Sequence, residues 1–333
     1  MLDKTYAVLL KILLLQNTFM NVTAFARHCV LGLSILFLTA FSAKAQTDYD
    51  HDMMAKNLFC SGFMYSYSSW DHYWEGTTKR TNENLGTVST QMIAYMGNYG
   101  VSGKFNLIFS LPYIKTKASA GTLHGLEGVQ DLSLYAKWKP YSKKVGPGIL
   151  SLIGVTGGSI PVGNYNPDFL PMSIGLKSKT LLIRGLADYE IGKFFITATG
   201  TYFFRGNVTL ERDVYYTTEM HLTDEVEMPN ANMVSLRTGY RSKELWIEAV
   251  LSKFTTLGGF DITRNNMPFV SSRMNATTAG TRIKYEPKSL GGLSLVANAE
   301  TVLNGRNVGQ STTIGGAIFY ILNFNKKTRS SVK

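Results

Sequence analysis

Residues 194–205, FFITATGTYFFR, alternate between two sets of side chains. The even positions, from Phe194 to Phe204, are apolar or small, and the odd positions carry three threonines and end at Arg205. Successive side chains of a β-strand point to opposite sides of the sheet. A period of two over this length therefore predicts a strand with one apolar and one polar face.

The same rhythm recurs along most of the chain, for example over residues 101–111, 129–139 and 293–300. It predicts twelve strands, at about 60–72, 84–97, 101–114, 128–140, 147–158, 177–190, 194–206, 231–241, 244–257, 273–286, 291–303 and 311–324. The connections alternate in length. Short turns are predicted at 98–100, 140–146, 191–193, 242–243 and 287–291, and longer loops at 73–83, 115–127, 159–176, 207–230, 258–272 and 304–310.

Short turns that alternate with long loops, together with an even strand number, are typical of bacterial outer-membrane barrels. We therefore predict an all-β protein, a transmembrane antiparallel up-and-down β-barrel of about 12 strands, with 10 or 14 as alternatives. The other fold considered is a soluble β-sandwich, whose outward face would be richer in Lys and Glu. Here the polar face is mainly Thr, Ser, Asn and Tyr, and charged residues make up only 17% of the chain, which favours the membrane barrel.

The N-terminus predicts export. Residues 30–41 form an apolar run that would rise about 18 Å as a helix, too short for a hydrocarbon core of about 30 Å. Arg27 and His28 precede the run, and Ala43-Lys44-Ala45 follows it. That order is typical of a cleaved secretory signal peptide, with a membrane anchor as the alternative. Because no later segment is long and apolar enough to span a membrane as a helix, we expect the exported chain to cross the outer membrane as strands.

These boundaries divide the chain into five parts, with translation starting at Met20 and cleavage near Ala45-Gln46. The parts are residues 1–19, an upstream over-call of the start; 20–45, the signal peptide; 46–59, a periplasmic segment that is solvated or tucked into the lumen; 60–324, the barrel; and 325–333, a basic tail.

Charge and cysteine content exclude several classes of protein. The chain carries 34 Lys and Arg against 23 Asp and Glu, a net +11, and removal of residues 1–45 leaves 11 − 3 = +8. This charge is scattered, and the compartment is wrong for a nucleic acid partner. Two cysteines cannot build a disulfide framework, and Cys60, the one in the mature chain, is expected to be buried as a small apolar residue.

No catalytic or cofactor site is predicted. No histidine in a predicted strand has a serine two residues away on the same face, as a barrel hydrolase would need. His72, His124 and His221 fall in predicted outer loops, but nothing brings them to metal-ligand spacing. We therefore predict no enzyme activity, no cofactor and no metal.

Residues 101–163 carry a family resemblance. The order SLPY at 110–113, GVQDLSLYAK at 128–137 and SIPVG at 159–163 resembles the MetA-pathway-of-phenol-degradation family of outer-membrane barrels. Family members usually carry Thr where this chain has Val162. The resemblance covers about 60 residues and implies a barrel of the outer membrane that acts as a transporter, similar to channels for fatty acids and aromatic hydrocarbons.

Charged residues on the polar faces are the predicted lumen-lining residues. They are Lys104, Asp131, Lys137, Arg184, Asp188, Arg205, Arg237, Glu248, Arg282, Lys284 and Glu300. A surplus of basic groups inside a pore favours anions. Pairing of opposite charges across the lumen, which would make the barrel rigid, is the favoured alternative. Asp131 and Lys137 share a face and are expected to form such a pair.

Aromatic residues cluster at both ends of the barrel region. Those of the first strand and its loop, between Phe63 and Trp74, are interpreted as an interfacial girdle in preference to a platform for a hydrophobic ligand. The last strand places Tyr320, Leu322 and Phe324 on one face. This resembles the aromatic-ended strand by which the outer-membrane assembly machinery recognises barrels.

These observations predict a monomeric channel of the Gram-negative outer membrane, surrounded by lipid. It would pass small molecules passively, with hydrophobic or aromatic compounds as the candidate solutes. The alternative is a structural or surface-interaction barrel without transport activity.

Overall fold

The computed structural model describes residues 51–264 and 266–325. Its strands form one antiparallel sheet that closes on itself. They are β1 Leu58–Trp70, β2 Val88–Ser102, β3 Phe105–Ala118, β4 Asp131–Val145, β5 Gly148–Pro161, β6 Thr180–Ile191, β7 Phe194–Arg205, β8 Ala231–Arg241, β9 Leu245–Thr256, β10 Asn275–Tyr285, β11 Leu293–Arg306 and β12 Thr312–Asn323. This is the predicted twelve-stranded up-and-down barrel. The predicted start region, signal peptide and cleavage site lie outside the described residues, as do residues 326–333 of the basic tail.

The barrel closes between its first and last strands. β1 pairs with β12 from Leu58 opposite Asn323 to Ser69 opposite Thr312, and it pairs with β2 on its other side. Closure leaves no free edge among these strands, which is the way a sheet can satisfy its backbone hydrogen bonds in lipid. A further short strand, Glu127–Val129, pairs with the outer end of β3.

Side-chain alternation around the barrel follows the predicted pattern. In β7, Phe194 and Ile196 are exposed on the outer wall, whereas Thr197, Thr199 and Thr201 are buried on the inner wall. The outer wall carries exposed Ile, Leu, Val and aromatic side chains on every strand. Because apolar surface of this extent is stable only against lipid, the barrel is a transmembrane barrel of the outer membrane. Within the described residues, no helix is long and apolar enough to cross a bilayer.

The short turns lie together at one end of the barrel, at residues 103–104, 146–147, 192–193, 242–244 and 286–292. This end is the periplasmic end by the pattern of outer-membrane barrels, so the long loops face outwards. The loops carry structure of their own. A hairpin joins His72–Glu75 to Thr78–Thr81, a 3₁₀ turn covers Pro167–Phe169, and two short ladders fold the loop between β7 and β8.

Two predicted turns were wrong. The first was placed at residues 98–100, but β2 continues to Ser102 and the turn is Gly103-Lys104. Gly100 lies inside the strand at a register irregularity, where the backbone of the preceding segment approaches closely: a Cβ on Gly100 would lie 2.1 Å from the Ala55 carbonyl oxygen. The glycine serves a close backbone contact rather than a turn.

The second misplaced turn was at residues 140–146. Strand β4 runs on to Val145, and Pro140 sits at a bulge between Trp138 and Tyr141. A bulge residue leaves the hydrogen-bond ladder, so the missing N–H of proline causes no loss there. Pro140 therefore marks an irregularity within the strand and not the end of it.

Candidate functional site

The interior of the barrel is divided into a packed half and a hollow half. Inward side chains of β5 and β6 form an apolar cluster of Ile153, Val155, Leu182 and Leu186, against which Tyr135 and Phe203 pack. The hollow half lies along β8 to β12 and continues to β1 and β2. A pathway through the barrel therefore has to follow the hollow half.

A lumen cavity of about 490 Å³ occupies that hollow half. Its lining differs in chemistry from place to place. Apolar side chains line it on β1, β2 and β12 and at the outer ends of β8 and β9, and they are Met64, Met96, Met233, Phe254, Ala317 and Phe319. Nearer the periplasmic end, β8 to β10 carry charges, with Arg237 and Arg282 each holding a guanidinium nitrogen 3.9 Å from the same Glu248 carboxylate oxygen. Glu300 also lines this cavity and is solvent-exposed.

A second, outer cavity of about 630 Å³ lies among the extracellular loops. Five loops contribute to it, along with Trp70 at the end of β1. Its apolar lining includes Leu85, Leu123, Leu170, Ile262, Met267 and Val308, and its polar lining includes Asn82, Asn84, Asn266 and Asn307. None of the described residues that line it is charged. Its volume is within the range of small-molecule sites.

The outer cavity and the lumen cavity lie next to each other. Met274 lines the outer cavity, and Ala276, two residues further on, lines the lumen cavity. Met274 directly precedes β10 and Ala276 is its second residue, so the two cavities approach each other at the outer end of β10.

Asn307 links the loops that form the outer cavity. This residue is buried and has a positive φ of 54°. Its amide nitrogen donates to Asp261 Oδ1 and to the Arg273 carbonyl, both at 2.7 Å, and its amide oxygen accepts from the backbone N–H of Gly76 and of Ile262. One side chain thus joins three loops.

Arg306 adds an ion pair to the contacts around Asn307. Its guanidinium donates to both carboxylate oxygens of Asp261, at 2.7 and 2.5 Å. This hydrogen bonding lowers the pKa of Asp261 to about 2. The pair is partly exposed, so it adds little to the free energy of unfolding. Its main effect is to fix the position of the loop that carries Asp261.

The charges assigned to the lumen from sequence fall into different environments. Lys137, Arg184 and Asp188 are fully buried in the packed half, where Arg184 Nε donates to Thr201 Oγ1 at 2.8 Å and Thr197 donates to Asp188. Arg237, Glu248, Arg282 and Glu300 line the lumen cavity.

Two further charges lie near the ends of the barrel. Arg205 lies at the outer end of β7, with its guanidinium 5.5 Å from the Phe254 ring centroid. Lys284 is buried towards the periplasmic end and pairs with Glu286 at 3.1 Å.

Two of these assignments need correction. Lys104 is exposed in the periplasmic turn with Gly103, because β2 and β3 are shifted by about four residues from their predicted limits, and it does not line the lumen. The pair expected between Asp131 and Lys137 is absent among the described contacts. Six residues of strand span about 20 Å, too far for a contact. Asp131 instead accepts a 2.6 Å hydrogen bond from the Tyr165 hydroxyl, and burial together with this contact raises the pKa of Tyr165.

The aromatic girdle interpretation holds for part of its residues. Phe63 and Tyr65 are exposed on the outer wall. Trp70 and Tyr73, however, line the outer cavity, and Trp74 is buried against Gly305. The preference for a girdle was therefore wrong for Trp70, Tyr73 and Trp74, because β1 ends at Trp70 and the loop that follows turns back over the barrel mouth.

Sequence reasoning missed the group at the periplasmic end. His51 lies with Asp188 and Glu190, one ligand atom from each falling within 4.8 Å of the others. Arg241 Nη1 lies 3.2 Å from Asp188 Oδ2 and 3.0 Å from Glu190 Oε2, so a guanidinium already occupies the place between the carboxylates. These residues are far apart in the sequence, and no local pattern marks them as neighbours.

Comparisons with known proteins support the fold. No protein-family model matches the chain, and no curated protein matches it significantly. Among solved structures, the COG4313 outer membrane channel from Pseudomonas putida F1 is similar, with a TM-score of 0.65 and 15% identity over 84% of this chain and 100% of that chain. At this identity the similarity establishes the barrel fold alone.

Two other outer-membrane barrels align with lower scores. The translocator domain of the autotransporter NalP from Neisseria meningitidis gives a TM-score of 0.43 at 10% identity, covering 92% of this chain and 98% of that one. A deltaS2 mutant of the TodX monoaromatic hydrocarbon channel gives 0.39 at 10% identity, covering 81% and 91%. These scores are too low to support a conclusion.

Proposed function

We propose that the protein is a passive, monomeric channel of the outer membrane for small uncharged apolar molecules, aromatic compounds among them. The single observation that carries this proposal is the outer cavity. It is large enough for such a ligand, and its described lining offers aliphatic and aromatic surface with side-chain amides but no charge. A charged solute would lose its hydration there without gaining a partner.

The lumen cavity continues the same chemistry with one addition. Its methionine and phenylalanine side chains offer an adaptable apolar surface, and Arg237, Glu248 and Arg282 form a charged cluster nearer the periplasmic end. A ligand with an apolar body and one polar group fits a cavity that offers both kinds of surface. The resemblance of residues 101–163 to the MetA-pathway family supports the same solute class, and the aromatic face of β12 is proposed as the assembly signal.

The proposal is tested by comparing three probes that differ in charge and polarity: 1-naphthol, 1-naphthoate and sucrose. Binding to the purified protein is measured by equilibrium dialysis, and initial uptake is measured in intact cells with and without the protein. We expect binding and faster uptake for 1-naphthol, and a weaker effect for the other two probes.

The Leu123→Asp variant places a charge in the outer cavity and should reduce 1-naphthol binding by about tenfold, the equivalent of about 1.4 kcal/mol. The control is Leu222→Asp, because Leu222 is 86% exposed and does not line the cavity. If 1-naphthol neither binds nor enters faster, and ions do not pass either, the barrel is a structural or surface-interaction protein and the proposal is wrong.

A further inference from the structure

The chain that precedes β1 lies inside the periplasmic end of the barrel. Residues 51–56 belong to no strand. Met54 is only 1% exposed and packs in a cluster with Cys60, Phe319 and Ile321, which line the inner wall of β1 and β12. Asp52 is also buried. This segment therefore fills space beneath the lumen cavity, whose wall includes the same Phe319.

Backbone contacts hold the segment against β2. The Asn57 N–H donates to the Gly100 carbonyl of β2 at 2.8 Å, and a turn closed by the Leu58 N–H on the Ala55 carbonyl at 3.1 Å joins the segment to β1. Gly100 faces inwards, where a Cβ would lie 2.1 Å from the Ala55 oxygen and 2.8 Å from the Met54 oxygen. The segment thus fits only because this position has no side chain.

The start of the segment rests in a seat of aromatic and charged side chains. The His51 ring centroid lies 5.8 Å from that of Trp246, and His51 Nε2 lies 3.3 Å from Asp52 Oδ1. Arg241 lies between two aromatic rings, with its guanidinium 3.6 Å from the Phe195 centroid and 4.7 Å from that of Trp246.

We propose that residues 51–57 form a gate that closes the periplasmic exit of the lumen and opens by leaving this seat. This inference rests on the proposed channel function and adds its regulation. The seat survives departure of the gate, because Asp188 and Glu190 keep Arg241 as their partner, and Arg241 keeps Phe195 and Trp246. Leaving therefore does not strand a buried charge, which would be the large cost.

Protonation of His51 favours the open state. Burial lowers the pKa of His51, although the charges that face it act in both directions: Asp52 on its own segment and Asp188 and Glu190 on β6 favour the charged ring, whereas Arg241 on β8 and Lys139 on β4 oppose it. A group whose pKa is lowered in the closed state binds its proton more tightly once the gate has left. Closure is therefore strongest above the ordinary histidine pKa of about 6.5 and weakens as the pH falls below it.

The test is conductance in planar bilayers of the full mature chain, of a variant lacking residues 51–56, and of Gly100→Ala. The matched control is Gly154→Ala, since Gly154 is in a strand where an added Cβ would meet no other atom within 4 Å. We expect the deletion and Gly100→Ala to raise the time-averaged conductance several-fold, and Gly154→Ala to leave it unchanged. Lowering the pH from 8 to 5 should raise the conductance of the wild type but not that of His51→Gln.

Unfolded variants are recognised by the loss of heat-modifiable mobility on gels, and the deletion remains a test if Gly100→Ala fails to fold. If folded deletion and Gly100→Ala proteins conduct like the wild type, the gate is wrong. The channel function is judged separately by 1-naphthol uptake: uptake with unchanged conductance in these variants rejects only the gate. If neither wild type nor deletion passes ions or 1-naphthol, both proposals fail.

Discussion

Asn307 shows how much of the outer mouth depends on one side chain. Its amide satisfies groups from two other loops, and its positive φ suits Asn better than most residues. We expect Asn307→Ala to destabilise the closed loops by on the order of 2 kcal/mol, because buried backbone N–H groups lose their acceptor. Limited proteolysis of intact cells should then cleave within residues 257–274. Asn304→Ala, at an exposed position of β11 three residues before Asn307, is the control and should remain resistant.

The ion pair between Arg306 and Asp261 predicts how the loop contacts around Asn307 respond to pH. The pKa of Asp261 is held at about 2 by Arg306, below its ordinary value of 3.8. The stabilisation is therefore complete above about pH 4 and is lost as the pH falls through 2. Protease resistance of the 257–274 loop should be constant from pH 8 to 4. An Asp261→Asn variant should be more sensitive throughout that range, and equal sensitivity of the two proteins would show that the pair does not fix the loop.

At the scale of elements, the strand limits fix which residues face each compartment. Lys104 lies in a short turn and Leu222 in a long loop on the opposite side. We expect a membrane-impermeant thiol reagent to label Leu222→Cys in intact cells, and Lys104→Cys only after the outer membrane has been permeabilised. The native Cys60 is buried and gives a low background. Labelling of Lys104→Cys in intact cells would reverse the orientation of the barrel.

The outer face of the strands predicts a second result. Leu236, near the middle of β8, is exposed on the lipid side. Leu236→Arg should destabilise the barrel by about 2–4 kcal/mol, the cost of a basic side chain near the bilayer midplane. Denaturant unfolding in phospholipid vesicles measures this cost, with Leu236→Val as the control. A loss below about 1 kcal/mol would place this face away from lipid.

The strands could be predicted because the alternation of apolar and polar residues that identifies a strand lies within the sequence of that strand. In residues 194–205 the alternation alone gives the strand, its limits and its inward face. Gly100 and Pro140 were misread because the sequence does not show what approaches them: the backbone of Ala55 in one case and a bulge in the other. The outer cavity and the His51 seat could not be predicted, since their residues meet only after the loops fold and the sheet closes.

For the whole molecule, the balance of interior charges predicts ion selectivity. Arg237 and Arg282 in the hollow half are matched in number by Glu248 and Glu300, and Lys284 is matched by its partner Glu286. We expect little preference between chloride and potassium, measured as a reversal potential near zero in a salt gradient. Arg237→Gln leaves the lumen carboxylates in excess and should shift the reversal potential towards potassium selectivity. Lys243→Gln, in an exposed periplasmic turn, should not, and an equal effect of both would assign selectivity to the surface.

The seam between β1 and β12 sets the order of events during biogenesis. Thr312–Asn323 is synthesised last, yet it is the neighbour of Leu58–Trp70, which is synthesised first. The earliest strand must wait for its partner until translation has ended. A chain truncated before Thr312 keeps two open edges and cannot seal, so premature termination yields a substrate for proteases and chaperones instead of a smaller working barrel.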